Sequence, residues 1–402
     1  MLNIPTSPTP RADSELQFDW VHVTHGGTPA FVETYGFSGS QNVVNLEGVL
    51  IRPRNRPSRT LHVFMHPSST LQLLPVPRAF AKRGAHVLCA GSRYARNDTA
   101  GVLENVLVDL GAYIHYAREV LGYDKIVLAG WSGGGALAMC YQAEAERPSI
   151  ERTPAGDAID LRSARLIPAD AVIFQAAHVS RAQLLLDSID PSVLDENDPD
   201  RRNSELDIYD PKNPNQPPYS ADFIRAYRAA QLHRMRAITA RVKQTLADLR
   251  SRGTGEVERG LITHRTMADP RYLDSTLDPN DRRPKWCYLG VPETVNNGPV
   301  GLARFTTLRS WLSQWSIEDS RGDACACAKR VSVPLLVMEN SADDAVPQPH
   351  SRMLFDAATT QDKTFTVIRG ANHYYAGQPD QLEQAMRQIF DWSGARGFDV
   401  GS

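Results

Sequence analysis

Between an apolar run, Lys125-Ile126-Val127-Leu128-Ala129, and an alanine-rich stretch, Gly135–Glu146, the chain reads Gly130-Trp131-Ser132-Gly133-Gly134. A G-x-S-x-G between a strand and a helix constrains the fold more than any other feature of the sequence. A serine on so sharp a turn takes a strained backbone geometry, and its neighbours two residues away must be small. The turn lifts the hydroxyl clear of the sheet and sets it over a helix N-terminus, where backbone N–H groups favour developing negative charge. An incidental serine in a glycine-rich turn would not require a strand before it and a helix after it.

The rest of the chain fits that demand. Phe18–Thr24, Ala30–Phe37 and Asn45–Arg52 are Val-, Phe- and Tyr-rich runs bounded by turn residues, which predicts an antiparallel opening to a sheet. From Leu61 onward apolar runs alternate with helical periodicity. Strands are expected at 61–65, 85–90, 125–129 and 171–174, and helices at 77–83, 103–121 and 135–146. Such alternation implies a parallel sheet covered on both faces. The alternation stops near Val179. An Asp- and Pro-rich loop, 187–218, precedes a long expected helix, Ala221–Ser251, with its stripe at Ile224, Tyr227, Met235, Ile238, Val242, Leu246 and Leu249. An aromatic helix is expected over Leu302–Trp315, and alternation resumes at Val333. The expected organisation is an N-terminal arm (1–16), a first core segment (17–178), an inserted, mainly helical cap (179–330) and a second core segment (331–402).

A serine hydroxyl is a poor nucleophile until a base takes its proton. Gly370-Ala371-Asn372-His373, between a late strand and the last helix, supplies a histidine, and Asn340-Ser341-Ala342-Asp343-Asp344-Ala345-Val346-Pro347 supplies an orienting acid after the preceding strand. The order Ser132…Asp343…His373 resembles the α/β-hydrolase superfamily, over about 45–179 and 332–392. The resemblance implies an α/β-hydrolase fold, a mostly parallel sheet with helices on both faces. The acid loop is similar to the family's G-x-x-D-x-x-V-P pattern, which selects Asp343. Asn340 stands where that pattern has glycine, so Asp344 stays open as the acid. The family places an oxyanion donor after its third core strand, where this chain reads His66-Pro67-Ser68-Ser69-Thr70. Proline has no N–H, so the resemblance implies backbone donors at Gly133 and at Ser68 or Ser69, with His66 positioning the loop rather than acting as a base.

Composition excludes several other classes. Lys and Arg total 44 against 46 Asp and Glu, a net charge of −2, which removes the electrostatic case for a nucleic-acid partner. No long apolar run suggests a membrane span and no basic, apolar start suggests a signal peptide, so a cytoplasmic protein is expected. Five cysteines suit a reducing compartment. Cys325-Ala326-Cys327 has no second Cys/His pair nearby, and His62 and His66 lie on a strand without an intervening Glu, so no metal is expected. No phosphate-binding or dinucleotide-binding glycine motif appears, so no cofactor is expected. The basic residues of the long helix, eight between Ala221 and Arg252, read as a solvated face neutralised by the acidic loop before it, or as an attraction for anionic substrates. Trp286, Tyr288, Trp311 and Trp315 either line a substrate pocket or pack the cap.

These readings converge on a serine hydrolase acting on a small acyl substrate, an ester or lactone, through an acyl-enzyme on Ser132. C–C bond hydrolysis, thioester or amide cleavage, acyl transfer to another acceptor and ligand binding without turnover use the same fold and stay open, as does homo-oligomerisation.

Overall fold

The computed structural model describes residues 15–26 and 43–398. The run 30–37, expected as a strand, and most of the N-terminal arm lie outside the described residues. An eight-stranded sheet organises the molecule. Its strands are β1 (Leu16–Gly26), β2 (Val43–Pro53), β3 (Thr60–His66), β4 (His86–Gly91), β5 (Lys125–Trp131), β6 (Ala171–Gln175), β9 (Leu335–Asn340) and β10 (Lys363–Ile368), in the order β1-β2-β4-β3-β5-β6-β9-β10. β1 pairs antiparallel with β2 and β2 antiparallel with β4, while every pairing from β4 to β10 is parallel.

The burial pattern follows from that arrangement. All seven residues of β3 and all five of β6 are buried, as expected for central parallel strands covered on both faces. β1, at the edge, alternates between buried and solvated positions. Two apolar clusters flank the sheet. One joins its first face to α2 (Leu103–Glu119) and α3 (Gly133–Glu146), and the other joins the opposite face to α1 (Pro75–Lys82) and α10 (Pro379–Gly394). The parallel strands run the same way, so the loops after β3, β5, β6, β9 and β10 emerge at one edge of the sheet. That edge is where open α/β sheets carry their ligands.

The sheet passes directly from β6 to β9, and the intervening chain folds over its C-terminal edge. It contains α4 (Arg181–Ser188), α5 (Ala221–Arg252), a small hairpin of β7 (Gly260–Ile262) and β8 (Phe305–Thr307), α6 (Pro292–Asn297), α7 (Leu308–Ser310) and α8 (Ala324–Ala328), followed in the core by α9 (Pro349–Ala357). α5 starts where the Ser220 hydroxyl accepts the Phe223 N–H and stops at Gly253, whose φ of 61° suits glycine. From Met235 onward its stripe packs with Trp311 and Trp315, whereas Ile224 and Tyr227 join a separate cluster with Tyr219 and Phe223.

Two expectations need correction here. The aromatic helix over Leu302–Trp315 is instead a strand, the short α7 and a π-helical turn, Trp311–Trp315. Pairing of Phe305–Thr307 with β7 captures the first part of that stretch. The basic face of α5 is also not neutralised mainly by the acidic loop. Only Glu196 of that loop forms an ion pair with the helix, at Arg234, whereas Asp187 pairs with Arg271 and both Asp190 and Asp207 pair with Arg265. Arg228, Arg236 and Lys243 find Asp269, Glu318 and Asp319. No helix among the described residues is long and apolar enough to cross a membrane.

Candidate active site

Ser132 sits between β5 and α3 with φ 54° and ψ −128°, a region that non-glycine residues occupy only when the surrounding structure enforces it. The enforcement is visible in its neighbours. A Cβ on Gly130 would lie 2.6 Å from the Gly135 Cα, and one on Gly134 would overlap the Met65 carbonyl oxygen at the end of β3. The elbow is therefore pressed against the next strand, and only glycine fits on either side. The Gly133 N–H, at the first turn of α3, makes no hydrogen bond to a described residue.

His373 and Asp343 arrive on the loops after β10 and β9. His373 Nδ1 lies 2.9 Å from Asp343 Oδ2, and both side chains are buried. The other Asp343 oxygen accepts the Ala345 and Val346 N–H groups, each at 2.8 Å. With the carboxylate wholly an acceptor, the proton of the neutral imidazole belongs on Nδ1, and Nε2 is left with its lone pair. The adjacent Asp344 makes no such contact. Its Oδ1 is buried without a partner, and burial, followed by the charge of Asp343, raises its pKa. Ser132 and His373 line one cavity but are not hydrogen-bonded to each other, a separation common before substrate binds.

The loops behind the triad are tied together. Asn340, the residue in place of glycine, donates from Nδ2 to the Asn372 carbonyl at 2.9 Å and accepts the Tyr375 hydroxyl at 2.8 Å. Gln175 at the end of β6 donates to the same Tyr375 oxygen at 2.9 Å. Trp131 Nε1 donates to the His373 carbonyl at 3.2 Å, and its ring lies 4.5 Å from the His373 ring. Sequence reasoning missed Gln175 and Tyr375, whose roles depend on contacts across the sheet.

The expected backbone donor at Ser68 is not free. The Ser68 and Ser69 N–H groups both point at His66 Nδ1, at 3.1 and 3.0 Å. With Pro67 lacking an N–H, the nearest amides of this loop turn onto the histidine ring.

The cavity has a volume of about 390 Å³. The cap contributes Leu184, Tyr288, Leu289, Leu302, Phe305 and Trp315 to its wall, and the core contributes Trp131, Tyr374 and Val346. Polar groups reach it as well. Arg181 pairs with Asp98 at 2.6 Å, donates to Gln314 at 2.8 Å and lies 4.5 Å over the Trp315 ring. His178, in the loop after β6, is buried, and burial holds its pKa well below the usual value. The position of His178, just past a parallel strand, is a signal the sequence carried. Of the four cap aromatics, Tyr288 and Trp315 line the cavity. Trp311 is buried and donates to Thr239 at 2.9 Å, and Trp286 stacks against Arg283.

An elbow serine above a mostly parallel sheet, with acid and histidine on later loops in that order, is the arrangement of the α/β-hydrolase fold. No family model and no curated protein matches this chain. Solved structures do. A monoacylglycerol lipase of Paleococcus ferrophilus is 16% identical, covering 86% of this chain and 97% of that one, with a TM-score of 0.44. An esterase domain from Rhodothermus marinus is 13% identical over 96% and 100%, with a TM-score of 0.46. Brefeldin A esterase, described as a bacterial homologue of human hormone sensitive lipase, is 15% identical over 97% and 80%, with a TM-score of 0.43. Likenesses of that size say nothing about this chain's chemistry, and the assignment rests on topology and the elbow.

Proposed function

We propose that the protein is a serine hydrolase that cleaves a carboxylic ester or lactone through an acyl-enzyme on Ser132. The observation that carries the reading is the Asp343–His373 contact of 2.9 Å in the same cavity as a serine held at φ 54°. His373 Nε2 accepts the Ser132 proton as Oγ attacks the carbonyl, and Asp343 holds the Nδ1–H and stabilises the imidazolium that forms. The tetrahedral oxyanion develops over the N-terminus of α3, within reach of the Gly133 N–H. Collapse expels the alkoxide, which takes its proton from His373. Water then repeats the sequence on the acyl-enzyme and releases the acid.

The largely apolar wall supplied by the cap favours a hydrophobic acyl or alkyl group of moderate size, since apolar burial there drives binding. A cytoplasmic setting belongs to the same reading, because all five cysteines are free thiols. The test is hydrolysis of short p-nitrophenyl esters by wild type and Ser132→Ala, with a fluorophosphonate label located by mass spectrometry. Turnover and label should both depend on Ser132. Undiminished hydrolysis by Ser132→Ala would defeat the proposal.

A further inference from the structure

We infer that the His66 side chain, through its Nε2–H, is the second oxyanion donor, replacing the backbone N–H expected from this loop. The inference rests on the serine hydrolase reading above. The first step is the tautomer. Nδ1 of His66 receives two N–H groups, from Ser68 and Ser69, so it must present a lone pair. A neutral imidazole that accepts at Nδ1 carries its proton on Nε2. The ring stays neutral because burial, reinforced by the charge of Arg181, pulls its pKa down to about 3.

The second step is direction. A Cβ built on Gly133 would lie 2.7 Å from His66 Nε2, the atom of that ring nearest to it. The ring tip therefore occupies the space beside the first residue of α3, at the elbow. That closeness explains a glycine at the variable position of G-x-S-x-G, since a side chain there would push the imidazole away. The ring also lines the cavity shared by Ser132 and His373, and its Nε2 makes no hydrogen bond to a described residue. A donor with no acceptor among the described residues, fixed from behind by two backbone amides and set beside Gly133 at the elbow, has the arrangement that stabilises a developing alkoxide. The same tautomer excludes His66 as the general base, because its Nε2 lone pair is already protonated.

Two substitutions separate this role from loop positioning. In His66→Asn the Oδ1 reaches the place of Nδ1 and still receives the Ser68 and Ser69 amides, but nothing replaces Nε2–H. In His66→Gln the amide nitrogen reaches the place of Nε2. We expect His66→Asn to lose about 10²–10³-fold in kcat with KM changed little, the size of effect seen on removing an oxyanion donor. His66→Gln should recover at least about tenfold of that loss. Full activity in His66→Asn, or equal impairment of the two variants, would overturn the inference. Nitrogen NMR of the wild type gives an answer independent of folding of the variants, since a proton found on Nδ1 of His66 overturns it as well. A wild type that takes no fluorophosphonate on Ser132 removes the serine reading and this inference together. A labelled wild type with an undiminished His66→Asn removes only the inference.

Discussion

Asn340 Oδ1 accepts the Tyr375 hydroxyl at 2.8 Å, and through this contact the acid loop and the histidine loop hold each other in register. The other end of the same amide donates to the Asn372 carbonyl, one residue before His373. The group is buried, so loss of the side chain leaves the Tyr375 O–H without its acceptor and takes a donor from the Asn372 carbonyl. Asn340→Ala should lower unfolding free energy by about 1–3 kcal/mol and lower kcat by roughly 10–100-fold through misplacement of His373. A double-mutant cycle with Tyr375→Phe checks the coupling. Losses in kcat that simply add would show that the two residues act separately.

Asp343 and Asp344 separate sharply in their expected consequences. In Asp343→Asn the amide carbonyl stays with the Ala345 and Val346 N–H groups, which already occupy Oδ1. The NH₂ then faces His373 Nδ1 and forces the proton of the ring onto Nε2, the nitrogen that must accept from Ser132. A fall of about 10⁴-fold in kcat is expected, as for other triads given the wrong tautomer. Asp344→Asn should stay within a few-fold of wild type, because its carboxylate makes no hydrogen bond to the His373 ring and meets that residue at its backbone N–H instead. Steady-state kinetics on one ester settle both, and a comparable loss in Asp344→Asn would reverse the assignment.

The contrast between Asp343 and Ser68 shows what the sequence could carry. Ser132, Asp343 and His373 were legible because each depends on local grammar: small residues two positions from the serine, Val346-Pro347 after the acid, and a strand end before the histidine. That the expected Ser68 donor turns onto His66 was not legible, because the direction of an amide depends on the ring orientation of His66. The stretch Leu302–Trp315 has helical periodicity, yet β7 pairs with part of it, a partner that no spacing announces. Charge pairing in the cap failed to follow sequence neighbourhood for the same reason. The acids beside α5 in the chain meet arginines brought in from Arg265 and Arg271 by the fold.

Arg265 bridges two buried carboxylates, with Nε 2.7 Å from Asp190 and Nη2 2.9 Å from Asp207. It is itself buried and held at φ 54°. Burial and the neighbouring Asp190 already raise the Asp207 pKa. Arg265→Ala leaves Asp190 without its ion-pair partner and Asp207 with Arg202 alone, and should destabilise the protein by about 3–5 kcal/mol. Adding Asp190→Asn and Asp207→Asn should restore part of the loss, because the charges rather than the volume carry it. Urea denaturation at neutral pH measures both. A triple variant no more stable than Arg265→Ala would assign the cost to packing instead.

His62 sets an acid limit on stability. It is fully buried on β3 with its ring 5.2 Å from the Phe80 ring, and burial pulls its pKa from the ordinary 6.5 to about 4. On unfolding the ring regains its ordinary affinity for a proton. Between pH 6.5 and 4 the unfolded chain therefore binds a proton that the folded chain does not. Stability is full above the upper value and drains as pH falls toward the lower one. From pH 7 to pH 5 the loss from this one group is about 2 kcal/mol, at ~1.4 kcal/mol per pH unit below the unfolded pKa. His66, held lower still at about 3, drains in the same direction and over the same interval. His62→Leu removes the first titration and leaves the second. The drop in unfolding free energy between pH 7 and pH 5 should shrink by about 2 kcal/mol in the variant, read by urea denaturation at the two pH values. A variant whose stability falls with acid as steeply as wild type would show that His62 is not the group being charged.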